Sequence, residues 1–274
     1  MTGHRPADSE VVELLTKGDL RIEGRLSGAS NTTLFCVAED GSGGEVACVY
    51  KPVRGERPLW DFPDETLGHR EVATFELHQW AAASLGTTAL VPTTVWRADG
   101  PLGAGACQLW IEVTETSCVD VVPSGEVPTG WLSVLRASDD YGRPLELVHR
   151  DDPRLRLMCL LDAVTNNSDR KGGHILCTEA GAIYGIDHGL CFSDDDKLRT
   201  VLWGWAGTDL TDTEVDLLQA MVTALAAGPL AEILAEHLFA EEIAATSYRA
   251  QRLLRHGQFP VPDGRWPAIP WPAF

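Results

Sequence analysis

The stretch from Asp152 to Leu190 constrains this chain more than any other. Asp152-Pro153 is a strong helix start: an aspartate cap, then a proline at the first helical position, where its missing N–H costs nothing. Leu157, Met158, Leu160, Leu161 and Val164 supply the apolar side of that helix, which is expected to end near Asn166. A polar loop follows, Asn166-Asn167-Ser168-Asp169-Arg170-Lys171-Gly172-Gly173. Two strand-like runs, His174–Cys177 and Ala182–Asp187, then flank the turn Thr178-Glu179-Ala180-Gly181. Antiparallel pairing sets residues equidistant from a turn opposite each other, so His174 entering the hairpin and Asp187 leaving it fall close together. With Asp169 just upstream, one loop and one hairpin gather two carboxylates and an imidazole, and Arg170 and Lys171 add positive charge.

Phosphoryl transfer requires such a set. One carboxylate orients and deprotonates an acceptor hydroxyl, another holds Mg2+ on the phosphates, and cations offset the developing charge. Asn-Asn-Ser-Asp and Lys-Gly-Gly are also good turn formers. A purely structural role, however, leaves the polarity of both hairpin ends without a reason.

The N-terminal half is written in strands and turns. Residues 9–17 predict a short helix ending before Gly18, followed by strands over Asp19–Leu26, Thr32–Ala38 and Glu45–Lys51. Glu39-Asp40-Gly41-Ser42-Gly43-Gly44 joins the last two as a hairpin. The first two are joined through Gly24–Asn31, where Ser27 and Gly28 are small enough for backbone N–H groups to approach phosphates, or simply make a turn. Lys51 ends the third strand opposite the region of Thr32, beside that loop, and can reach the same phosphates. Thr66–Leu85 predicts a helix with Ala73, Leu77, Trp80, Ala81 and Ser84 on one face, stopping at Gly86. It carries Glu71, placed to orient Lys51 by an ion pair; Glu76 is a second candidate, and a solvated helix position is the plain alternative. Thr93–Arg97 and Cys107–Val113 form a second hairpin. Residues 116–150 read as an irregular linker with some helix. Thr211–His256 is mostly helical with a break at Gly228-Pro229, and a Pro-rich tail is expected to be extended, with Trp266 and Trp271 against the body.

The element order predicts an α+β fold of two lobes, a small sheet-rich one over 19–113 and a helical one over 114–274 whose tail begins near 258. Forty acidic residues against 22 basic ones give a net charge of −18. Such a surface repels nucleic-acid backbones and anionic lipid, so neither nucleic acid nor stable membrane association is expected. Seven cysteines without a C-x-x-C pair read as buried reduced thiols, and the N-terminus has no apolar run of a signal peptide; a soluble, cytoplasmic protein is expected.

Lys51-Pro52, Arg70-Glu71-Val72-Ala73, Gln108-Leu109-Trp110-Ile111-Glu112, Asp169-Arg170 and Ile186-Asp187-His188-Gly189-Leu190 occur in the order seen in phosphatidylinositol 3-/4-kinases. The chain resembles that family, the type II phosphatidylinositol 4-kinases most, and is similar to a bacterial family related to them. The resemblance implies a single protein-kinase-like domain using ATP and Mg2+ or Mn2+. It implies that Lys51 contacts the phosphates and pairs with Glu71. Ile111, Glu112 and Val113 would hold adenine through backbone bonds, Asp169 would be the catalytic-loop carboxylate beside Arg170, and Asp187 the principal metal ligand. Two positions depart from the family. His174 stands where an asparagine ligand is usual; imidazole is a softer ligand than an amide oxygen, so the position implies a preference for Mn2+ over Mg2+, binding through water, altered chemistry, or a packing or hydrogen-bonding role. His188 stands in place of a phenylalanine and is expected to pack or hydrogen-bond rather than ligate. A lipid acceptor would call for basic or apolar membrane-binding elements that the sequence lacks, so a protein or small-molecule hydroxyl is the expected acceptor. The expected function is an ATP-dependent phosphotransferase, an atypical kinase. A pseudokinase that binds nucleotide without turnover is the main alternative, and a metal-dependent hydrolase built on His174, Asp187 and His188 is another.

Overall fold

Period-two alternation organises the front of the molecule. In β2 (Leu34–Glu39) and β3 (Glu45–Pro52), Leu34, Cys36 and Ala38 and then Cys48, Tyr50 and Pro52 are buried, while their neighbours are half-buried. The computed structural model, which describes residues 8–28 and 30–274, pairs these strands antiparallel with Leu34 opposite Tyr50 and Cys36 opposite Cys48. Asp40 closes their turn by accepting the N–H groups of Ser42 (2.8 Å) and Gly44 (3.0 Å). β1 (Asp19–Arg25), β4 (Thr94–Arg97) and β5 (Gly105–Leu109) complete an antiparallel sheet in the order β1-β2-β3-β5-β4. Its buried face packs on α1 (Asp8–Lys17), where Val11, Leu14 and Leu15 meet Leu34, Cys36, Cys48, Tyr50 and Cys107.

α2 (Leu67–Leu85) is started by a distant residue: Glu56 accepts the N–H of Leu67 (3.2 Å) and of Gly68 (2.8 Å), filling the role of a cap. It ends at Gly86, whose φ of +64° favours glycine. Ala73, Leu77 and Ala81 enter the core as expected, but Ser84 is exposed. Arg70 is buried and ties the helix to the rear of the protein. It donates to the Cys191 carbonyl (2.7 Å), pairs with Glu242 and stacks over the Phe62 ring.

Residues 116–150 are not the irregular linker expected. They form an antiparallel sheet of β6 (Val119–Pro123), β7 (Trp131–Ser138) and β8 (Pro144–Arg150), in the order β6-β8-β7. Turn signals at Gly125, Gly130 and Gly142 marked the strand ends. The strands escape a pattern reading because β6 and β7 are largely exposed or half-buried, so no clean alternation is written into them.

The helical part follows its signals closely. Asp152 caps α3 (Pro153–Thr165) by accepting the Arg154 N–H (2.8 Å). A short hairpin of β9 (Ile175–Cys177) and β10 (Ile183–Gly185) follows, with Ile183 opposite Cys177. A Thr211/Glu214 capping box opens α4 (Asp212–Ala227), the break at Gly228-Pro229 leads into α5 (Pro229–Leu234), and α6 (Ala240–His256) ends at Gly257. A second, larger apolar cluster joins α2 to these elements, with Leu77, Leu155, Leu160, Phe192, Leu218 and Leu253 among its members. The tail is extended, but Trp271 does not pin it: its surface is 89% exposed. Hydrogen bonds to its carbonyls hold it instead, from the Thr200 N–H and the Trp203 indole Nε1 to Ala268 and from the Gly172 N–H to Ala273 (2.8 Å). Among the described residues no helix is long and apolar enough to cross a membrane.

Candidate active site

Strand alternation turns Tyr50 into the apolar cluster and Lys51 to the other face of β3, toward α2. There the Lys51 ammonium donates to Glu71 Oε1 and, at 3.0 Å, to Asp187 Oδ1. The second Glu71 oxygen accepts the backbone N–H of His188 at 3.0 Å, so one carboxylate fixes both the lysine and the chain beside Asp187. Glu76 takes no part; burial and the nearby Glu236 raise its pKa. Burial disfavours the Lys51 charge, but the carboxylates of Asp187 and Glu71 outweigh it and its pKa rises. Lys51 in turn holds the Asp187 carboxyl, whose side chain is half exposed, well below the usual carboxylate range, and His174 acts in the same direction. Asp187 sits at φ +61°, a left-handed conformation that aspartate tolerates better than most residues.

Asp169, His174 and Asp187 come together as the loop-and-hairpin spacing implied: one ligand atom of each lies within 4.8 Å of the others. His174 Nδ1 lies 2.9 Å from the Asp169 carbonyl oxygen, which can only accept, so Nδ1 is the donor. Its Nε2 then faces Asp187 Oδ2 at 3.3 Å. Burial lowers the His174 pKa although Asp187 opposes this, which favours a neutral ring with a lone pair on Nε2. A lone pair facing a carboxylate oxygen is satisfied by a cation between them. The Asp187 carboxylate and a neutral imidazole are donors that fit Mg2+ or, better, Mn2+, with the Asp169 carboxylate beside them.

The Asp169 loop is set by residues that the sequence did not single out. Asn166, at φ +56°, ends α3 and uses its amide to hold the carbonyls of Ser193 (3.0 Å) and Asp195 and the Lys197 N–H (2.9 Å). Asn167 accepts the Asp169 N–H (3.0 Å) and donates to Asp162 (3.0 Å). Asp169 itself pairs with Lys171 at 3.1 Å and lies 4.0 Å from Arg199. Arg170 departs from the expectation of a catalytic cation. Its side chain is 0% exposed and bound at both ends of its fork to Asp162 (2.8 and 2.9 Å), with further bonds to the carbonyls of Ile186 and His174. It positions the loop and hairpin and cannot touch a substrate. The Asp162 partner was concealed on the α3 face, eight residues away and buried.

His188 is likewise buried, its Nε2 accepting from Arg170 at 2.7 Å. The hydrolase built on His174, Asp187 and His188 fails on this point, because that nitrogen is already engaged behind the cluster. Beyond it lies His78, both ring nitrogens buried without a partner, and burial pushes its pKa down to about 4. Between its unfolded value of about 6.5 and that value, the unfolded chain binds a proton that the folded one does not, so stability falls with falling pH. His78→Leu is expected to remove about 2 kcal/mol of the loss between pH 7.5 and pH 5, as read by urea unfolding. Equal pH slopes for both proteins would contradict this.

Ser27 and Gly28 are exposed on the β1–β2 connection, with Gly28 at φ +86°. Ile111 is buried, while Glu112 and Val113 are exposed on the segment that runs from β5, through a Thr114 N–H to Cys177 carbonyl bond (2.9 Å), to the rear hairpin. A broad depression of about 1000 Å³ lies elsewhere, between α1 and the β2–β3 turn. Glu13, Asp19, Glu39, Asp40 and Glu45 line it, with Lys17 the one cation among the described residues there, a lining that repels phosphates. On the opposite side of the cluster, a Cβ added at Gly172 would stand 2.6 Å from the Phe274 ring. Gly172→Ala is therefore expected to turn the exposed Phe274 ring aside at a cost of less than about 1 kcal/mol, measured by thermal unfolding; a loss well above that would show the tail contact to be rigid.

No family model matches the chain. Among solved structures, hydra Fam20 with sugar superposes with a TM-score of 0.53 at 13% identity, over 92% of this chain and 89% of that one. The golgi casein kinase superposes with a TM-score of 0.48 at 15% identity, over 92% and 75%. The likeness to hydra Fam20 shows a protein-kinase-like fold. Protein Rv2133c of Mycobacterium tuberculosis is 46% identical over 271 residues, covering 95% of this chain and 94% of its own. With that identity over nearly its whole length, the chain belongs to the family of Rv2133c.

Proposed function

We propose that this protein is an ATP-dependent phosphotransferase, an atypical kinase acting on a hydroxyl of a protein or small molecule. The observation that carries the proposal is the Lys51 ammonium held between Glu71 and Asp187, with His174 and Asp169 gathered on the far side of Asp187. Residues 19–113 form the nucleotide-side lobe and 114–274 the acceptor-side lobe. Lys51, kept charged and oriented by Glu71, binds phosphate oxygens. The small residues Ser27 and Gly28 offer backbone N–H groups above them. Ile111, Glu112 and Val113 present adenine with backbone groups that, among the described residues, have no partner within the chain. Asp187 and His174 hold a divalent cation, which supplies charge neutralisation on the phosphates. Asp169 takes the proton of the acceptor hydroxyl, and Lys171 and Arg199 beside it offset charge on the transferred group. The likeness to phosphatidylinositol 3-/4-kinases is a likeness of these motifs; a lipid acceptor is disfavoured by the net charge of −18. Seven free, buried cysteines support a cytoplasmic setting.

A nucleotide-binding module without turnover is the second reading, favoured by one observation: the imidazole of His174 in place of an amide ligand. Purified protein given labelled ATP with Mn2+ or Mg2+ is expected to phosphorylate itself or release ADP. Nucleotide that raises the melting temperature with no turnover under either metal would decide for the second reading.

A further inference from the structure

The Asp169 loop is gripped from inside by Arg170 and from outside by the tail. Residues 199–201 run beside the loop as a short parallel bridge. The Arg170 N–H donates to the Arg199 carbonyl and the Val201 N–H to the Arg170 carbonyl, both at 3.1 Å. The other edge of that bridge belongs to the tail, because the Thr200 N–H donates to the Ala268 carbonyl (3.0 Å). Further on, the tail reaches the loop itself, where the Ala273 carbonyl accepts the Gly172 N–H (2.8 Å). Gly172 is buried, and a buried backbone N–H needs an acceptor.

That bond fixes a segment with active-site groups at both ends. Gly172 opens the turn Gly172–His174. Lys171, just before it, pairs with Asp169 at 3.1 Å. His174, at its end, holds the Asp169 carbonyl through Nδ1 (2.9 Å) and faces Asp187 through Nε2 (3.3 Å). The tail is suited to hold a fixed line. Pro267, Pro270 and Pro272 lock φ at three of its positions, which lowers the entropy lost in keeping it extended. Ile269 and Ala273 lie against the larger apolar cluster, and Pro270 is buried. Gly172 carries no side chain where a Cβ would stand 2.6 Å from the Phe274 ring and 3.3 Å from Val119, so loop and tail come close.

We propose that Ala273 is a positioning residue of the phosphotransferase site. Its carbonyl, carried by the tail, sets the Gly172–His174 turn and with it the separation of His174 from Asp187 and of Lys171 from Asp169. The inference rests on the proposed role of Asp187 and His174 as holders of a divalent cation. A group that orients a metal ligand without touching the metal typically changes affinity or activity by about 10–100-fold when it is lost.

The test uses the full chain carrying Ala273→Asp or Ile269→Asp, each of which sets a carboxylate against the apolar cluster and lifts the tail. Trp271→Ala, at an exposed position of the same tail, is the control. Amide hydrogen exchange is expected to quicken over Gly172–His174 in both lifted-tail variants while α3 keeps its protection. Affinity for Mn2+ alone, followed by calorimetry, is expected to fall about tenfold. Turnover is expected to fall with it and to recover in part as Mn2+ is raised, which a loss of folded protein would not produce. Trp271→Ala is expected to match the parent in all three measurements. Faster exchange at the turn with unchanged Mn2+ affinity and turnover would overturn the positioning role. Unchanged exchange in both variants would overturn it too, since the tail would then not hold the turn. Loss of protection throughout, α3 included, would reduce the tail to a brace for the whole fold. A parent chain that binds neither Mn2+ nor nucleotide would instead sink the phosphotransferase reading, and the inference with it.

Discussion

Asp187→Ala is expected to abolish binding of the metal–nucleotide complex, whereas Asp169→Asn leaves binding within about threefold and stops transfer. The two aspartates lie in one cluster but face different partners. Asp187 bonds the Lys51 ammonium at 3.0 Å and faces His174 Nε2 at 3.3 Å. Its loss removes the charge that Lys51 and a cation share, and truncating one partner of such a pair costs about 2–5 kcal/mol, or roughly 30-fold to several-thousand-fold in affinity. Alanine is also disfavoured at φ +61°, by roughly 1–2 kcal/mol, so Asp187→Asn is the companion that separates charge from backbone strain. Asp169 has no contact with Lys51; its carboxylate faces Lys171 and Arg199. An amide there keeps the loop and loses the base, a change worth roughly 10²–10⁴ in rate. Titration calorimetry with a non-hydrolysable ATP analogue and Mn2+, beside a turnover assay, measures both. Equal loss of binding in the two variants would contradict the division of roles.

Arg170→Met is expected to destabilise the fold by about 3–5 kcal/mol, because it leaves the Asp162 carboxylate buried without its cation. The double replacement Asp162→Leu/Arg170→Met removes both charges and is expected to recover much of that loss, since a buried pair replaced by apolar groups is often close to neutral. Activity is not expected to return with stability. Arg170 also ties the carbonyls of His174 and Ile186 and the ring of His188, and these bonds set the distance between the Asp169 loop and the Asp187 strand end. Urea unfolding reads the first effect and turnover the second. A single variant that loses less than about 1 kcal/mol would show that the pair contributes little to stability.

Local periodicity and caps were legible where a residue's environment depends on its near neighbours. The alternation of Leu34, Cys36 and Ala38, the Asp152 cap, the Gly86 stop and the Thr178–Gly181 turn all behave as their sequences imply. The gathering of Asp169, His174 and Asp187 belongs to the same class, because one loop and one hairpin hold all three. The β6–β8 sheet was not legible, since half-exposed strands carry no alternation to read.

By itself, the sequence determined which short segments become strands, helices and turns, and that the polar ends of one hairpin meet. Only the tertiary structure decided which carboxylate Lys51 takes. Glu71 and Glu76 differ by about 140° around α2, and the docking of that helix, through Arg70 to Glu242 and Cys191, turns Glu71 toward the lysine. Only the tertiary structure turned Arg170 inward to Asp162, away from any phosphate. In both cases the partner is chosen by how buried surfaces pack, and a charged group forced inside takes the nearest opposite charge whatever its separation along the chain.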